Sequence, residues 1–95
     1  MKAQLKNIQK MIVPILQKNK VARAGIFGSF ARGEATRQSD VDILIRFKER
    51  RTLFDLARLE LELEDKLGKS VDVLTYRSVH PLLKERILKE EVRIL

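Results

Sequence analysis

The fold is decided by residues 26–42, which read Ile-Phe-Gly-Ser-Phe-Ala-Arg-Gly-Glu-Ala-Thr-Arg-Gln-Ser-Asp-Val-Asp. The stretch leaves one apolar run at Gly28 and Ser29, crosses a polar loop, and enters a second apolar run that carries Asp40 and Asp42. Ionised carboxylates are among the side chains least often buried, because their desolvation without a partner is costly. Two acids at the start of an apolar strand therefore indicate a site for a positively charged ligand.

Apolar periodicity on either side of this stretch predicts alternating helices and strands. Pro14 lies inside the first helical pattern and predicts a kink or a fresh start there. Thr52 with Asp55 three residues later resembles a capping box, and Gly68 marks the end of the helix that follows. The predicted elements are a helix over 3–18, strands over 21–27, 41–47 and 71–75, one helical turn over 29–32, a helix between Thr52 and Gly68, and a helix from Pro81 to the C-terminus.

These elements predict a single domain over residues 1–95 of the α/β (α+β) class, with helices packed on a three-stranded mixed sheet. The helix before the third strand is long enough for a right-handed crossover, so the second and third strands are expected to be parallel neighbours. The chain has no cysteine, which excludes disulfides and thiolate metal sites and favours a cytoplasmic location. No apolar run approaches the roughly 18 residues of a membrane span.

The net charge of +7 is concentrated in the N-terminal third of the chain. Residues 1–33 hold seven basic side chains and no acidic one, whereas the later 13 basic and 13 acidic side chains cancel. A basic flank can steer an anionic ligand such as a nucleotide, an RNA or an acidic partner, and the alternative is a solvated lysine-rich helix face. Nucleic-acid binding ranks last, because the aromatic residues that stack on bases form only 5% of the chain.

Three carboxylates are candidates for a metal site. Asp40 and Asp42 lie two residues apart and share a face, and Asp72 interrupts the third strand in the same way. A divalent cation would relieve the repulsion among them, and oxygen ligands without nearby His or Cys select Mg²⁺ or Mn²⁺. The alternatives are that Asp40 is an ordinary loop acid and that Asp72 faces solvent, which would leave the metal site incomplete.

Gly28 and Ser29 are candidates for phosphate binding. Gly28 allows close approach of the backbone, and Ser29 opens a helical turn with free amides and a hydroxyl. Arg32 could reach a phosphate from the same turn, although an exposed arginine is an equal alternative. A phosphate cradle beside carboxylate-held metals predicts a nucleoside triphosphate bound for phosphoryl or nucleotidyl transfer, with two ions. The alternative for Gly28 and Ser29 is a strand-ending glycine followed by a helix cap.

Gly28-Ser29, ten intervening residues, and Asp40-Val41-Asp42, followed by a lone acid in a later strand, resemble the DNA polymerase β-like nucleotidyltransferase superfamily. The wording Phe-Gly-Ser-Phe-Ala-Arg-Gly-Glu-Ala and the closing Pro-Leu-Leu-Lys-Glu-Arg-Ile-Leu-Lys-Glu-Glu are similar to its minimal nucleotidyltransferase branch. The resemblance implies that Gly28 and Ser29 hold the triphosphate of ATP. It also implies that Asp40 and Asp42 coordinate two Mg²⁺ ions and that Asp72 completes the metal on the attacking side.

The branch resemblance further implies a biological role. Its members are commonly the antitoxin halves of type VII toxin-antitoxin pairs and transfer AMP from ATP to a tyrosine hydroxyl of a HEPN-domain ribonuclease toxin. A chain of 95 residues leaves the nucleotide cleft open on one side, so a partner or a second copy in a homodimer is expected to complete it. The rival interpretation is a catalytically idle antitoxin that neutralises its partner by complex formation alone.

Overall fold

The computed structural model describes residues 2–95 as four helices and four strands. Most element bounds confirm the predictions, including the capping box at Thr52 and Asp55 and the end of the following helix at Gly68. In chain order the elements are α1 (Lys2–Lys18), β1 (Val21–Phe27), α2 (Gly28–Arg32), β2 (Val41–Phe47), α3 (Leu53–Leu67), β3 (Val71–Thr75), α4 (Pro81–Glu90) and β4 (Val92–Arg93).

The sheet is mixed, with the strand order β3-β2-β1-β4. β2 and β3 are parallel neighbours, as predicted from the intervening helix, and β1 runs antiparallel to β2 and β4. Because β1 and β2 are antiparallel, the end of β1 lies beside the start of β2. Phe27 is therefore paired with Asp42, and Gly28 follows immediately.

The hydrophobic core lies on one face of the sheet, between the strands and the pair α1 and α3. Strand alternation sends one set of side chains into this core and leaves the other set on the opposite face. On β2, Val41 and Ile43 are fully buried in the core, while Asp42 between them points to the opposite face. The other core residues are Ile8, Ile12 and Leu16 of α1, Leu59 and Leu63 of α3, Val71 and Val73 of β3, and Val21, Ala24, Ile26, Phe30, Ile45 and Ile94.

Two predictions about the C-terminal segment are wrong. The last helix ends at Glu90 rather than at the C-terminus, and the sheet has four strands because Val92–Arg93 pairs with β1. The cause is the open edge of β1, whose backbone groups need partners. Ala24 meets this need by exchanging backbone hydrogen bonds with Ile94 and Leu95, at 2.9–3.1 Å.

Of the two outcomes expected at Pro14, the fresh start is wrong, since α1 continues through this residue, and the kink stays a prediction. Proline removes one backbone hydrogen bond from a helix interior. Burial of Ile12 and Leu16, which are both 0% exposed, holds the helix together on either side of it. No helix among residues 2–95 is long and apolar enough to cross a membrane.

Candidate active site

A cleft of about 410 Å³ lies where the end of β1 meets the start of β2. It brings together five of the six residues that the sequence singled out: Gly28, Ser29, Arg32, Asp40 and Asp42. The sixth, Asp72, is not on the cleft wall. It pairs with Asp42 across the parallel strands β2 and β3 and is exposed. The predicted group is therefore assembled at one edge, with Asp72 at its margin.

Gly28 is held in a backbone conformation that favours glycine, with φ of 72°. A Cβ atom at this position would lie 3.1 Å from Cγ of Asp42 and closer still to Oδ2. The backbone of the loop and the carboxylate of Asp42 are therefore packed directly against each other. A larger residue could not occupy this place without displacing the carboxylate.

The short helix α2 begins without a side-chain cap. Its N-cap residue is Phe27, whose side chain makes no capping hydrogen bond, so the predicted alternative in which Ser29 caps the helix is wrong. The first amides of a helix have no intrahelical partner and attract anions. Ser29 is half-buried within this first turn and lines the cleft.

Asp42 carries the clearest electrostatic signature of the cleft. Burial raises its pKa above the ordinary value of an aspartate, and the charges of Asp72 and Asp40 raise it further, while Arg32 acts in the opposite direction. Like charges gathered around a half-buried carboxylate favour its protonated form unless a cation is present. The donor set is oxygen-only, which suits Mg²⁺ or Mn²⁺. Within residues 2–95, however, no group of three or more His, Cys, Asp or Glu side chains is arranged to hold a metal ion.

Arg32 lines the cleft and is shared between two glutamates. Its Nε donates to Glu34 at 3.1 Å, its Nη1 donates to Glu90 at 3.2 Å, and these contacts raise its pKa. Glu90 belongs to α4, so Arg32 ties that helix to α2 across 58 residues of sequence. The predicted contact of Arg32 with a phosphate would have to compete with these two ion pairs.

The sequence did not predict that α4 forms one wall of the cleft. Leu83, Arg86, Ile87 and Glu90 face the predicted residues across the cleft. They recur at spacings of three and four, which placed them on one face of a helix but did not reveal what that face contacts. The apolar pair Leu83 and Ile87 gives this wall a surface on which a flat ring could lie.

Comparison with known proteins agrees with this geometry. Residues 9–94 match the model of the nucleotidyltransferase domain family. A relative from Methanocaldococcus jannaschii, named provisionally as a protein adenylyltransferase, is 57% identical over 96% of this chain and 98% of its own. Protein adenylyltransferase MntA of Thermococcus cleftensis is 40% identical over 78% of this chain and 75% of its own.

Solved structures share the fold. One described provisionally as a minimal nucleotidyltransferase superposes with a TM-score of 0.82 at 40% identity, covering 95% of this chain and 92% of its own. The same fold also occurs in a complex described as a tri-AMPylated Shewanella oneidensis HEPN toxin with MNT antitoxin. That match has a TM-score of 0.75 at 20% identity and covers 95% of this chain and 71% of that one.

Proposed function

This chain belongs to the nucleotidyltransferase domain family, and from that premise we propose that it is a protein adenylyltransferase that moves AMP from ATP to a hydroxyl group of a partner protein. The observation that carries the proposal is the cleft itself. It joins an uncapped helix start at Gly28 and Ser29 to the carboxylates of Asp40 and Asp42. The first suits a triphosphate, and the second suits the cations that accompany it.

Each side chain of the cleft has a proposed task. The amides of α2 and the hydroxyl of Ser29 bind the phosphate oxygens. Asp40 and Asp42 would hold Mg²⁺, with Asp72 completing the site, and the metal would supply charge neutralisation at the phosphates, in a two-ion arrangement. The raised pKa of Asp42 supports this assignment, because a bound cation removes the repulsion from Asp72 and Asp40 that raises it.

The reaction is a substitution at the α-phosphorus of ATP. The acceptor oxygen forms a bond to this phosphorus, the bond to the β-phosphate oxygen breaks, and pyrophosphate leaves. The acceptor hydroxyl loses its proton, and Asp72 is the carboxylate that can accept it, because it is exposed beside the cleft and has no basic side chain of residues 4–95 within 4.0 Å.

The proposed acceptor is a tyrosine of a HEPN-domain toxin, with this chain as the antitoxin. The relatives named as protein adenylyltransferases support the reaction, and the Shewanella complex, which has the same fold, supports the class of partner. The cleft is open to solvent on one side, as a macromolecular acceptor requires. We also propose that the acceptor's own surface, or a second copy of this chain, closes that side.

A transfer assay tests the proposal. The chain and a HEPN-domain toxin are incubated with Mg²⁺ and ATP labelled on the α-phosphate, and the toxin is analysed by mass spectrometry. Addition of AMP that is lost in the Asp42→Asn variant, whose fold is checked by circular dichroism, supports the proposal. A stable complex that carries no label under any condition would support the idle antitoxin instead.

A further inference from the structure

A second concave surface lies at the opposite end of the sheet from the cleft. It has a volume of about 590 Å³ and is formed by the end of β2, the loop that follows it, the start of α3 and the segment after β3. Asp42 and Phe47 are five residues apart on β2, which separates this surface from the cleft by about 16 Å. We call it the distal groove. Its lining residues are Ile45–Leu53, Leu56 and Thr75–Ser78.

The distal groove is strongly basic. It is lined by five basic side chains and a single acidic one, Glu49. Among residues 2–95, none of the five basic side chains has a carboxylate within 4.0 Å, whereas several arginines and lysines elsewhere are ion-paired. Their positive charge is therefore available to an outside ligand. The five are Arg46, Lys48, Arg50, Arg51 and Arg77, and all are exposed.

Apolar side chains stand at the rim of the distal groove. Leu53 and Phe54, the first two residues of α3, are each 82% exposed. The capping box of Thr52 and Asp55 fixes the helical turn that carries them, so they are presented from an ordered backbone. Large apolar side chains at such exposure, beside unpaired positive charges, are typical of a protein interaction site.

We propose that the distal groove is the docking site for an acidic segment of a partner protein, one that bears apolar side chains among its carboxylates. A protein fits better than a nucleic acid, because Leu53 gains from apolar contact and cannot stack on bases. Phe54 offers a single exposed ring, whereas binding of a single-stranded nucleic acid uses several aromatic side chains on which successive bases stack. Charge complementarity selects an acidic segment and accelerates its encounter with this surface.

A second copy of this chain is a poor occupant, because the glutamates of α3 are already engaged. Glu62 of α3 pairs with Lys18 at 2.6 Å, and Glu64 and Glu60 accept the backbone amides of Val71 and Val73 at 3.0 and 3.2 Å. Among residues 4–95, Asp40, Asp42 and Asp72 also have no basic partner within 4.0 Å, but docking them into the groove would block the candidate active site.

This inference rests on the proposed function only for the choice of partner. A partner seated about 16 Å from the cleft leaves the nucleotide site open. Its acceptor hydroxyl must then lie on a segment long enough to span this distance or on a neighbouring subunit of the partner. The distal groove would contribute to partner affinity and leave the chemical step to the cleft.

The test measures binding without ATP, so that it is independent of transfer. Isothermal titration with a HEPN-domain toxin that binds the wild-type chain compares the wild type with Arg50→Glu/Arg77→Glu. The matched control is Lys10→Glu/Lys66→Glu, which makes the same charge change at exposed positions outside the groove; Lys66 lies about 20 Å from Leu53 along α3. We expect the groove variant to bind about tenfold more weakly or worse, and the control to stay within about twofold.

Three results would overturn the proposal. The first is a folded groove variant that binds the partner as tightly as the control variant does. The second is a concentration-dependent dimer of this chain, seen by light scattering, that only the groove variant loses. The third is a single-stranded RNA whose binding the groove variant abolishes while partner binding is unchanged.

The two proposals fail separately. Asp42→Asn should bind the partner with wild-type affinity while transferring no AMP, and the groove variant should transfer AMP at a normal maximal rate with a raised KM for the partner. A wild-type chain that binds through the groove and never labels the partner would contradict the proposed function and leave the docking site standing.

Discussion

Replacement of Gly28 by alanine should distort the cleft while destabilising the fold only modestly. Two consequences follow from the structure. Alanine at φ of 72° adopts the left-handed region at a cost of about 1–2 kcal/mol. The new Cβ also meets Asp42, lying 3.1 Å from its Cγ and closer to Oδ2, so the carboxylate must rotate away.

Gly28→Ala should reduce the stability of the fold much less than it reduces activity. The backbone cost alone should lower the free energy of unfolding by about 1–2 kcal/mol, because the displaced carboxylate is half-buried and can turn toward solvent. Activity should fall much further. A displacement of about 1 Å in a group that positions the reacting centre costs about 100-fold in rate, which is about 2.7 kcal/mol at the transition state.

Gly68→Ala provides the matched control. Gly68 has φ of 69°, nearly the same as Gly28, but a Cβ at this position would have no heavy atom within 4 Å. Both variants should therefore lose similar stability in urea unfolding, and only Gly28→Ala should lose AMP transfer. Equal transfer rates for the two variants, or an equal loss in both, would refute the argument that the contact between Gly28 and Asp42 shapes the cleft.

Three further predictions concern single side chains. The free energy of unfolding of Asp42→Asn should rise relative to that of the wild type as the pH rises above about 4, because burial and nearby acids raise the pKa of Asp42 and its ionisation opposes folding. Urea titrations at several pH values in EDTA measure this difference, and added Mg²⁺ should reduce it. Burial and the hydrogen bond to Glu91 raise the pKa of Tyr76 to about 12, so the free energy of unfolding should fall as the pH rises above about 10. The phenolate absorbance should report this group alone, because Tyr76 is the only tyrosine of the sequence. Thr52→Ala should lower the free energy of unfolding by about 1 kcal/mol through loss of the α3 cap, whereas Thr36→Ala, in an exposed loop, serves as its control; equal losses would contradict the capping argument.

Local patterns were sufficient to predict the cleft residues that lie close together in sequence. Gly28 directly follows β1 and Asp42 lies near the start of β2, and their roles follow from the glycine that breaks the first apolar run and from the acids that interrupt the second. The position of Asp72 depended in addition on the register between parallel strands. The register brings Asp72 opposite Asp42, but strand alternation also leaves it exposed, as the alternative interpretation allowed.

Contacts between distant segments could not be predicted in the same way. Val92 and Leu95 continue the helical spacing of the preceding residues, so the sequence favoured a helix to the C-terminus. The free edge of β1 determines the outcome instead, and an edge becomes visible only when the sheet is assembled. Glu91 shows the same dependence, since it accepts from Tyr76 and pairs with Arg23 at 3.3 Å. This network joins β1 to the turn after β3 and to the residue between α4 and β4.

The distribution of charge over the folded chain differs from its distribution along the sequence. The net charge of residues 34–95 is zero, because 13 basic and 13 acidic side chains cancel. The structure separates them in space. Glutamates of α3 are engaged with Lys18 and with backbone amides of β3, while Asp42 and Asp72 gather at the start of the parallel strands β2 and β3.

Parallel strands are the reason that the two ends of the sheet acquire opposite signs. Acids at the starts of β2 and β3 must lie side by side, and so must the basic residues that follow both strands, among them Lys48 and Arg77. The acidic end is the proposed site for cations and a phosphate group, and the basic end is the proposed docking site for an acidic protein. According to these two proposals, the domain would bind its nucleotide and its partner at the same time, at sites that do not compete for surface.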